Sequence, residues 1–218
     1  MSRKNELKAI IAYYGQYTFY HAVENGELGP ATNLTHESIK SIFKSTVKGV
    51  KEKIIFMKWK SFIPENVLHF DILNNSIIFY TKPTFKKLLF AKHTNIPSAE
   101  YKIPFLLWKY KNRQLDVYAL KKKPTSEKDI LYHAPFMNIN SRGNVCMGNV
   151  KYGNEENYFD DLMTDIVEKF FNSYFSHINH DNLLKINYQE FLKKHAGDKN
   201  LSYSNYLVPM KKEISSLL

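Results

Sequence analysis

Hydrophobic residues change their spacing several times along the chain, and each change predicts a different kind of element. Residues 7–24 are rich in Tyr, Ile, Phe and Val, and Gly15-Gln16 near the middle predicts that they form a β-hairpin. A helix is predicted from about 36 to 48, because apolar residues recur there at helical spacing behind Thr35, a residue type that caps helices well. The residues of this apolar stripe are Ile39, Ile42, Phe43 and Val47.

Between residues 53 and 121 the pattern changes to short apolar-rich runs separated by turn residues, which predicts an antiparallel meander. Asn74-Asn75 and the run Lys111-Asn112-Arg113 suit tight turns between consecutive strands, because Asn tolerates a positive φ. The predicted strands are Ile54–Trp59, Val67–Leu73, Ser76–Lys82, Phe105–Tyr110 and Leu115–Lys121.

Residues 130–150 are apolar but follow neither the helical nor the strand period. Apolar loops of this length are uncommon in compact domains, and they tend to be functional or packed as irregular core. Helical spacing returns at about 156–176, where two adjacent apolar stripes predict a heavily buried helix, and a shorter helix is predicted near 182–195. Strands followed by helices in this order predict an α+β fold.

Composition excludes a disordered chain, because 44% of the 218 residues are hydrophobic and only 24% are charged. The longest uncharged stretch near the N-terminus, residues 9–23, is too short and too polar for a membrane span, and it lacks the pattern of a signal peptide. Cys146 is the only cysteine, so no intramolecular disulfide can form, as is typical of a reducing compartment. We therefore expect a cytoplasmic protein with no membrane association.

The chain carries a formal net charge of +10, from 31 Lys and Arg against 21 Asp and Glu. This excess fits a nucleic-acid surface, an acidic protein partner, or solubility alone. The lysines occur in short scattered clusters rather than in one basic arm, so a nucleic-acid partner is the less favoured interpretation and stays an alternative.

The chain contains none of the common nucleotide-binding, hydrolase or metalloprotease motifs. His177 and His180, with Asp181 beside them, have the i, i+3 spacing of a metal-binding pair. Since no cysteine pair or second cluster lies nearby in the sequence, a solvated or capping role is favoured for them. We expect neither a metal ion nor an organic cofactor.

Cys146 lies in an unusual local sequence. A lone cysteine is most often a small buried hydrophobe, and its neighbours Val145 and Met147 favour that interpretation. Gly143 and Gly148 bracket it, however, and glycine and asparagine together build exposed or irregular backbone. The nearby asparagines are Asn138, Asn140, Asn144 and Asn149. A reactive thiol is therefore the alternative to a buried one.

The spacing of this segment resembles the active-site segment of ubiquitin-conjugating enzymes. Asn138 precedes Cys146 by eight positions and Gly143 precedes it by three, so that the segment reads Asn-Ile-x-x-x-Gly-x-Val-Cys-Met. In that superfamily a His-Pro-Asn tripeptide ends eight residues before the catalytic cysteine. The present chain has Phe136-Met137 where the superfamily has His-Pro.

A more extensive resemblance, best from about residue 103 to 180, is to the family of PRTRC system protein B, a prokaryotic branch of this superfamily. The runs that carry it are 115–120, 131–138, 143–149 and 170–177. The resemblance implies a ubiquitin-conjugating-like antiparallel meander flanked by helices, with an N-terminal β-hairpin extension and C-terminal helices. The implied parts of this single domain are residues 1–50 (hairpin and helix), 51–180 (ubiquitin-conjugating-like core) and 181–218 (C-terminal helical extension).

The resemblance also implies an activity and partners. Members are encoded beside a ThiF-type activating enzyme, a small ubiquitin-like protein and a JAB-type peptidase, so Cys146 would accept the ubiquitin-like protein as a thioester and pass it to an amine. Asn138 would stabilise the oxyanion of that transfer, or it stabilises its own loop. His177 would act as a base or a positive neighbour, or it interacts with the end of the preceding helix.

The thiolate is the reactive form of a cysteine, and a nearby cation favours it. The candidate cations are Arg142, His133 and His177. Two other functions remain open, a non-catalytic scaffold of the same fold that binds the modifier or the activating enzyme, and a basic accessory protein that binds nucleic acid. The presence of both Asn138 and Cys146 argues against the scaffold, because an inactive variant has no need of that pair.

Overall fold

The computed structural model describes residues 9–14, 17–35, 57–72, 76–146, 158–181 and 183–218. The chain divides into two compact units, Met1–Ile54 and Ile55–Leu218. The predicted helix at 36–48 and the predicted turn at Asn74-Asn75 lie outside the described residues, as does Asn149.

The first unit contains the predicted β-hairpin. Strands β1 (Ala9–Tyr14) and β2 (Tyr17–Glu24) pair antiparallel, with Tyr14 opposite Tyr17, so the prediction of a hairpin is confirmed. Two short strands, β3 (Glu27–Leu28) and β4 (Thr32–Asn33), also pair with β2.

The second unit contains nine further strands, two α-helices and two 3-10 helices in its described residues. The strands are β5 (Val67–Asp71), β6 (Ser76–Thr81), β7 (Thr84–Phe90), β8 (Ala99–Ile103), β9 (Phe105–Lys111), β10 (Gln114–Leu120), β11 (Ile130–His133), β12 (Tyr174–Phe175) and β13 (Pro209–Glu213). The α-helices are α1 (Phe159–Phe171) and α2 (Tyr188–Lys194), and the 3-10 helices are Lys92–Thr94 and Ile214–Leu217. This is an α+β fold, as predicted.

Six strands form one antiparallel sheet in the order β5-β6-β9-β10-β11-β13. The predicted antiparallel strands are confirmed as β5, β6, β9 and β10, and Asn112 and Arg113 both have the positive φ of a tight hairpin turn. The sequence analysis missed β7 and β8, which leave the sheet between β6 and β9. They pair with each other antiparallel, and β12 pairs with β7 in parallel.

Other predicted boundaries were wrong. The helix predicted to extend to residue 176 ends at Phe171, because the chain turns at Asn172 and then forms β12. The helix predicted from residue 182 begins at Tyr188, because the Asn187 side chain caps it by accepting a hydrogen bond from the Glu190 backbone N–H at 3.0 Å.

Two segments differ more strongly from the predictions. Residues 57–59, the described part of the predicted strand Ile54–Trp59, form only an isolated bridge between Lys58 and Tyr158. The aperiodic segment 130–150 begins with β11, and the chain's last residues include β13, which the sequence analysis did not predict.

The six-stranded sheet is covered on both faces. On one face Trp108 packs edge-on against Phe170 and Phe171 of α1, with ring centroids 5.3 and 6.0 Å apart. On the other face Leu107 belongs to a separate buried cluster with Leu217 of the C-terminal 3-10 helix. Such aromatic and aliphatic burial is the main stabilising contribution to a fold of this kind. Within the described residues, no helix has the length and apolar character that crossing a membrane requires.

Candidate functional site

Asn138 and Cys146 lie opposite each other in a short antiparallel ladder. The Cys146 backbone N–H donates to the Asn138 carbonyl at 2.7 Å, and Ile139 and Val145 form the next pair, an antiparallel bridge. Ile139 is buried and Val145 packs against the core, so the alternation of side chains along a strand directs Cys146 away from the core. Cys146 is exposed, and the interpretation of it as a buried hydrophobe is therefore wrong.

The turn that joins the two sides of this ladder is closed by its own asparagines. The Asn140 side-chain oxygen accepts from the backbone N–H groups of Arg142 at 2.9 Å and Asn144 at 3.1 Å. The Asn140 amide nitrogen in turn donates to the Asn144 side-chain oxygen at 3.1 Å. These asparagines build the irregular backbone before Cys146, as their composition predicted.

Gly143 is required by both its backbone and its surroundings. Its φ of +100° is a conformation that side chains disfavour, and a Cβ placed there would lie 2.4 Å from the Tyr118 ring. The Gly143 carbonyl also accepts from the Val117 backbone N–H at 2.8 Å. The glycine of the sequence motif therefore allows the turn to approach β10 closely.

The ladder is attached to β10 on the sheet. The Val145 backbone N–H donates to the Leu115 carbonyl at 2.9 Å, and the Asn144 side chain donates to the carboxylate of Asp116. A site held by a strand is positioned more accurately than one on a free loop. The position of Cys146 is thus set by β10 of the sheet.

Asn138 joins the ladder to the segment that follows α1. Its side-chain nitrogen donates to the Tyr174 carbonyl at 2.7 Å, and its side-chain oxygen accepts from the backbone N–H groups of Ser176 at 3.1 Å and His177 at 3.0 Å. The Asn138 φ is +62°, which asparagine tolerates better than most residues. The Asn138 side chain therefore holds a segment that is distant in the chain, instead of bonding the backbone of its own loop as one alternative expected.

His177 lies beyond β12, and its backbone contacts Asn138 directly. The Asn138 backbone N–H donates to the His177 carbonyl at 2.8 Å, and the His177 side chain is exposed. Because α1 already ends at Phe171, the expected interaction of His177 with the end of that helix is wrong. Hydrogen bonds through the backbone thus connect His177 to Asn138 and Asn138 to Cys146, which brings the three predicted site residues into one region.

A second histidine, His93, also lies in this region. It belongs to the 3-10 helix that follows β7, and its Nε2 donates to the Ser176 carbonyl at 2.9 Å. The centroids of the His93 and His177 rings are 6.2 Å apart. The sequence analysis missed His93, because the parallel pairing of β7 with β12 brings it to the site from a distant part of the chain.

Phe136 occupies a position at which ubiquitin-conjugating enzymes have part of the His-Pro pair. It is buried, and its ring lies 5.5 Å from Phe170 and 5.9 Å from Phe175 between centroids. Phe170 lies in α1 and Phe175 lies in β12, on the two sides of the turn at Asn172. Phe136 therefore anchors the start of the ladder in the core.

His133 does not provide a cation for the thiol. It is only 8% exposed, and burial, followed by the charges of His180 and Lys212, lowers its pKa to about 4. His133 is therefore uncharged at neutral pH, and that part of the expectation is wrong. Its ring packs against His180, whose pKa is also lowered by burial, with ring centroids 4.8 Å apart.

The described residues contain no group of three or more His, Cys, Asp or Glu side chains that is suited to a metal ion. His180, one half of the histidine pair noted in the sequence, contacts His133.

The chain matches the model of a known protein family. Residues 40–211, most of the chain, match the family model described as prokaryotic E2 family D. The matched range contains Asn138, Cys146 and His177. The same comparisons found no matching curated protein and no matching solved structure.

Proposed function

The chain belongs to prokaryotic E2 family D, and on that basis we propose that it carries a small ubiquitin-like protein as a thioester on Cys146 and passes it to an acceptor amine. The family indicates a transferase of the ubiquitin-conjugating kind. The thioester, the residues that form it and the partners are our proposal.

The observation that carries the proposal is the exposed Cys146 thiol on a ladder whose opposite residue is Asn138. In the charging step the Cys146 thiolate attacks the thioester that joins the modifier to the activating enzyme. A new carbon–sulfur bond forms as the old one breaks, so the exchange is nearly thermoneutral. The enzyme's thiol leaves as a thiolate.

In the second step an amine attacks the thioester carbon, and the carbonyl oxygen becomes an oxyanion. The Asn138 amide group has two N–H bonds, one of which binds the Tyr174 carbonyl. The other is the donor that we assign to the oxyanion, and a fixed amide donor of this kind is worth roughly a hundredfold to a thousandfold in rate. The bond that holds Asn138 in place thereby also orients its second N–H.

His177 is the base that we assign to the amine. It takes the proton that the amine loses as the carbon–nitrogen bond forms, and Cys146 leaves as a thiolate when the carbon–sulfur bond breaks. The backbone bond between His177 and Asn138 supports this assignment, because it places the imidazole on the same short segment that Asn138 fixes.

The partners follow from the resemblance to PRTRC system protein B. They are a ThiF-type activating enzyme, which uses ATP to form the first thioester, a small ubiquitin-like protein, and a JAB-type peptidase of the same system. The carrier step itself needs neither a metal ion nor an organic cofactor.

The test is to mix the chain with the activating enzyme, the ubiquitin-like protein and ATP, and to compare non-reducing with reducing gels. We expect an adduct that thiols cleave, none with Cys146→Ala, and a thiol-resistant ester with Cys146→Ser. The absence of an adduct while the activating enzyme itself becomes charged would favour the non-catalytic scaffold instead.

A further inference from the structure

Ser176 lies between His93 and His177, and its polar groups contact all three neighbouring polar side chains of the site. Its hydroxyl oxygen is 2.6 Å from Nδ1 of His177, its carbonyl accepts from His93 at 2.9 Å, and its backbone N–H donates to Asn138 at 3.1 Å. The steps proposed above for Cys146, Asn138 and His177 do not use the Ser176 hydroxyl.

The direction of the hydrogen bond between Ser176 and His177 determines which imidazole nitrogen of His177 can accept a proton. A hydroxyl can donate or accept, and a neutral imidazole carries its proton on one nitrogen only. If the hydroxyl donated to Nδ1, the proton of His177 would be on Nε2, which then could not accept a proton. If the hydroxyl accepts from Nδ1–H, the lone pair is on Nε2, and Nε2 is the basic nitrogen.

A second contact favours the direction in which Ser176 accepts. The side-chain oxygen of Asn138, which can only accept, lies 3.5 Å from the Ser176 hydroxyl, a long but reachable position for the hydroxyl proton. With its proton directed at Asn138, the hydroxyl presents a lone pair to Nδ1–H of His177. His177 Nδ1–H then donates to the Ser176 hydroxyl, the hydroxyl donates to the Asn138 side-chain oxygen, and the lone pair of His177 is left on Nε2.

We propose that Ser176 is a positioning residue, which holds the proton of His177 on Nδ1 so that Nε2 accepts the proton of the acceptor amine. This inference rests on the proposed function and names the residue that orients its base. The step is balanced: the nitrogen–carbon bond forms, the carbon–sulfur bond to Cys146 breaks, and the amine proton moves to Nε2. No further reactant is needed.

His93 is held by the same serine. Because a carbonyl oxygen can only accept, His93 must carry a proton on Nε2 to bind the Ser176 carbonyl. The backbone of Ser176 thus fixes one imidazole while its side chain orients the other, with the two ring centroids 6.2 Å apart.

The test compares two acceptors for the charged carrier. Lysine is protonated at neutral pH and must lose a proton before its nitrogen can attack, whereas hydroxylamine is already neutral and depends much less on a base. In Ser176→Ala we expect transfer to lysine to slow about tenfold or more, the scale of lost acid–base assistance, with transfer to hydroxylamine changed less than about twofold. Ser176→Thr, which keeps the hydroxyl, should restore transfer to lysine.

The matched control is Ser173→Ala, since the Ser173 hydroxyl donates to the Phe170 carbonyl at 2.7 Å and contacts no histidine in the described residues. It should leave both transfers unchanged. Equal slowing with both acceptors in Ser176→Ala would mean that Ser176 only maintains the structure of the site. Unchanged transfer to lysine would mean that Ser176 does not assist the proton transfer. Either result overturns the inference.

A second measurement separates this inference from the proposed function. If the wild-type chain forms no thioester, the proposed function fails, but the imidazole ¹⁵N shifts of His177 still report its tautomer. We expect the Nδ1–H form in the wild type and in Ser176→Thr, and its loss in Ser176→Ala. The Nε2–H form in the wild type, or the same tautomer in all three proteins, would overturn the role of Ser176.

Discussion

The backbone N–H of Cys146 donates to the carbonyl of Asn138 at 2.7 Å, although eight residues separate them in the chain. An antiparallel ladder with a tight turn explains this spacing, because Asn140 and Asn144 pair in the same register and the turn lies between them. A one-residue change in the turn would reverse the faces of the strand and point the thiol toward the core. The eight-residue interval is therefore a geometric requirement for exposing the thiol beside Asn138.

The exposure of Cys146 leads to the first prediction. Iodoacetamide should modify the folded chain at this single thiol, and the rate should rise only modestly when the chain is unfolded in urea. Intact mass spectrometry against time measures both rates, and Cys146→Ala provides the blank. A thiol that reacts only after unfolding would contradict both the exposed position and the proposed carrier role.

The second prediction concerns Gly143. Gly143→Ala should lower the free energy of unfolding by about 2–4 kcal/mol, because it combines backbone strain with a clash against the Tyr118 ring. Gly197→Ala is the matched control, since Gly197 has a φ of +73° but nothing within 4 Å of an added Cβ. It should cost only about 1 kcal/mol.

Urea denaturation of the two glycine variants measures this difference. We expect Gly143→Ala also to slow thioester formation on Cys146 and Gly197→Ala to leave it unchanged. Equal stability of the two variants would mean that the turn moves away from Tyr118 without cost.

The elements that could be predicted from the sequence are those set by neighbours in the chain. The hairpin of β9 and β10 follows from Asn112 and Arg113, whose turn joins two runs that alternate around Trp108 and Val117. The N-terminal hairpin follows from its own apolar pattern in the same way. In these cases local spacing and turn chemistry agree with the final fold.

The errors arise where distant segments determine the structure. Ser173 and Tyr174 continue the two stripes of the predicted helix by spacing, so the predicted helix extends to residue 176. In the structure Phe175 reaches the same aromatic cluster from β12, with its ring 5.5 Å from Phe170 between centroids. Tyr174, which the helical spacing places on a buried stripe, is 66% exposed, because the side chains of a strand alternate and β12 buries Phe175 instead.

The candidate site likewise contains residues that the sequence could indicate and residues that it could not. Asn138, Cys146 and His177 came from a family resemblance that records their spacing. His93 had no such signal, because a lone histidine in the sequence does not reveal that β7 and β12 will pair. Ser176 lies within the run 170–177 that carries the resemblance, but its contacts with His93 and Asn138 depend on the fold. The spacing of residues in a single sequence does not reveal the contacts that strands distant in the chain make with each other.

The third prediction separates the backbone role of Asn138 from its side-chain role. Asn138→Ala loses the three side-chain hydrogen bonds of 3.1 Å or shorter and strains a φ of +62°, so it should cost about 3–4 kcal/mol. Asn138→Gly loses the same bonds without the strain and should be about 1 kcal/mol more stable than Asn138→Ala. Urea denaturation gives both values.

Hydrogen exchange provides the local test for Asn138. The backbone N–H groups of Ser176 and His177, which bind the Asn138 side chain, should exchange faster in both variants. Amides of β10 serve as the internal reference. Unchanged protection at Ser176 and His177 would show that the Asn138 side chain does not hold this segment in solution.

The last prediction concerns pH and the buried His133. Burial lowers its pKa to about 4 from the usual value of about 6.5, so the unfolded chain binds more protons than the folded chain between these values. Stability must then rise with pH through that window and fall as the pH drops from about 6.5 toward 4, by at most about 3 kcal/mol from this residue. His180 acts in the same direction, because its pKa is also lowered by burial.

The variant that tests this is His133→Phe, which keeps an aromatic ring beside His180 but cannot bind a proton. Urea unfolding at pH 7.5 and pH 4.5 should give a smaller loss of stability for His133→Phe than for the wild type. His69→Gln, at an exposed position of β5, is the control and should keep the wild-type loss. If His133→Phe lost as much stability as the wild type, the acid sensitivity would come from other groups, and His133 would not be held uncharged by its burial.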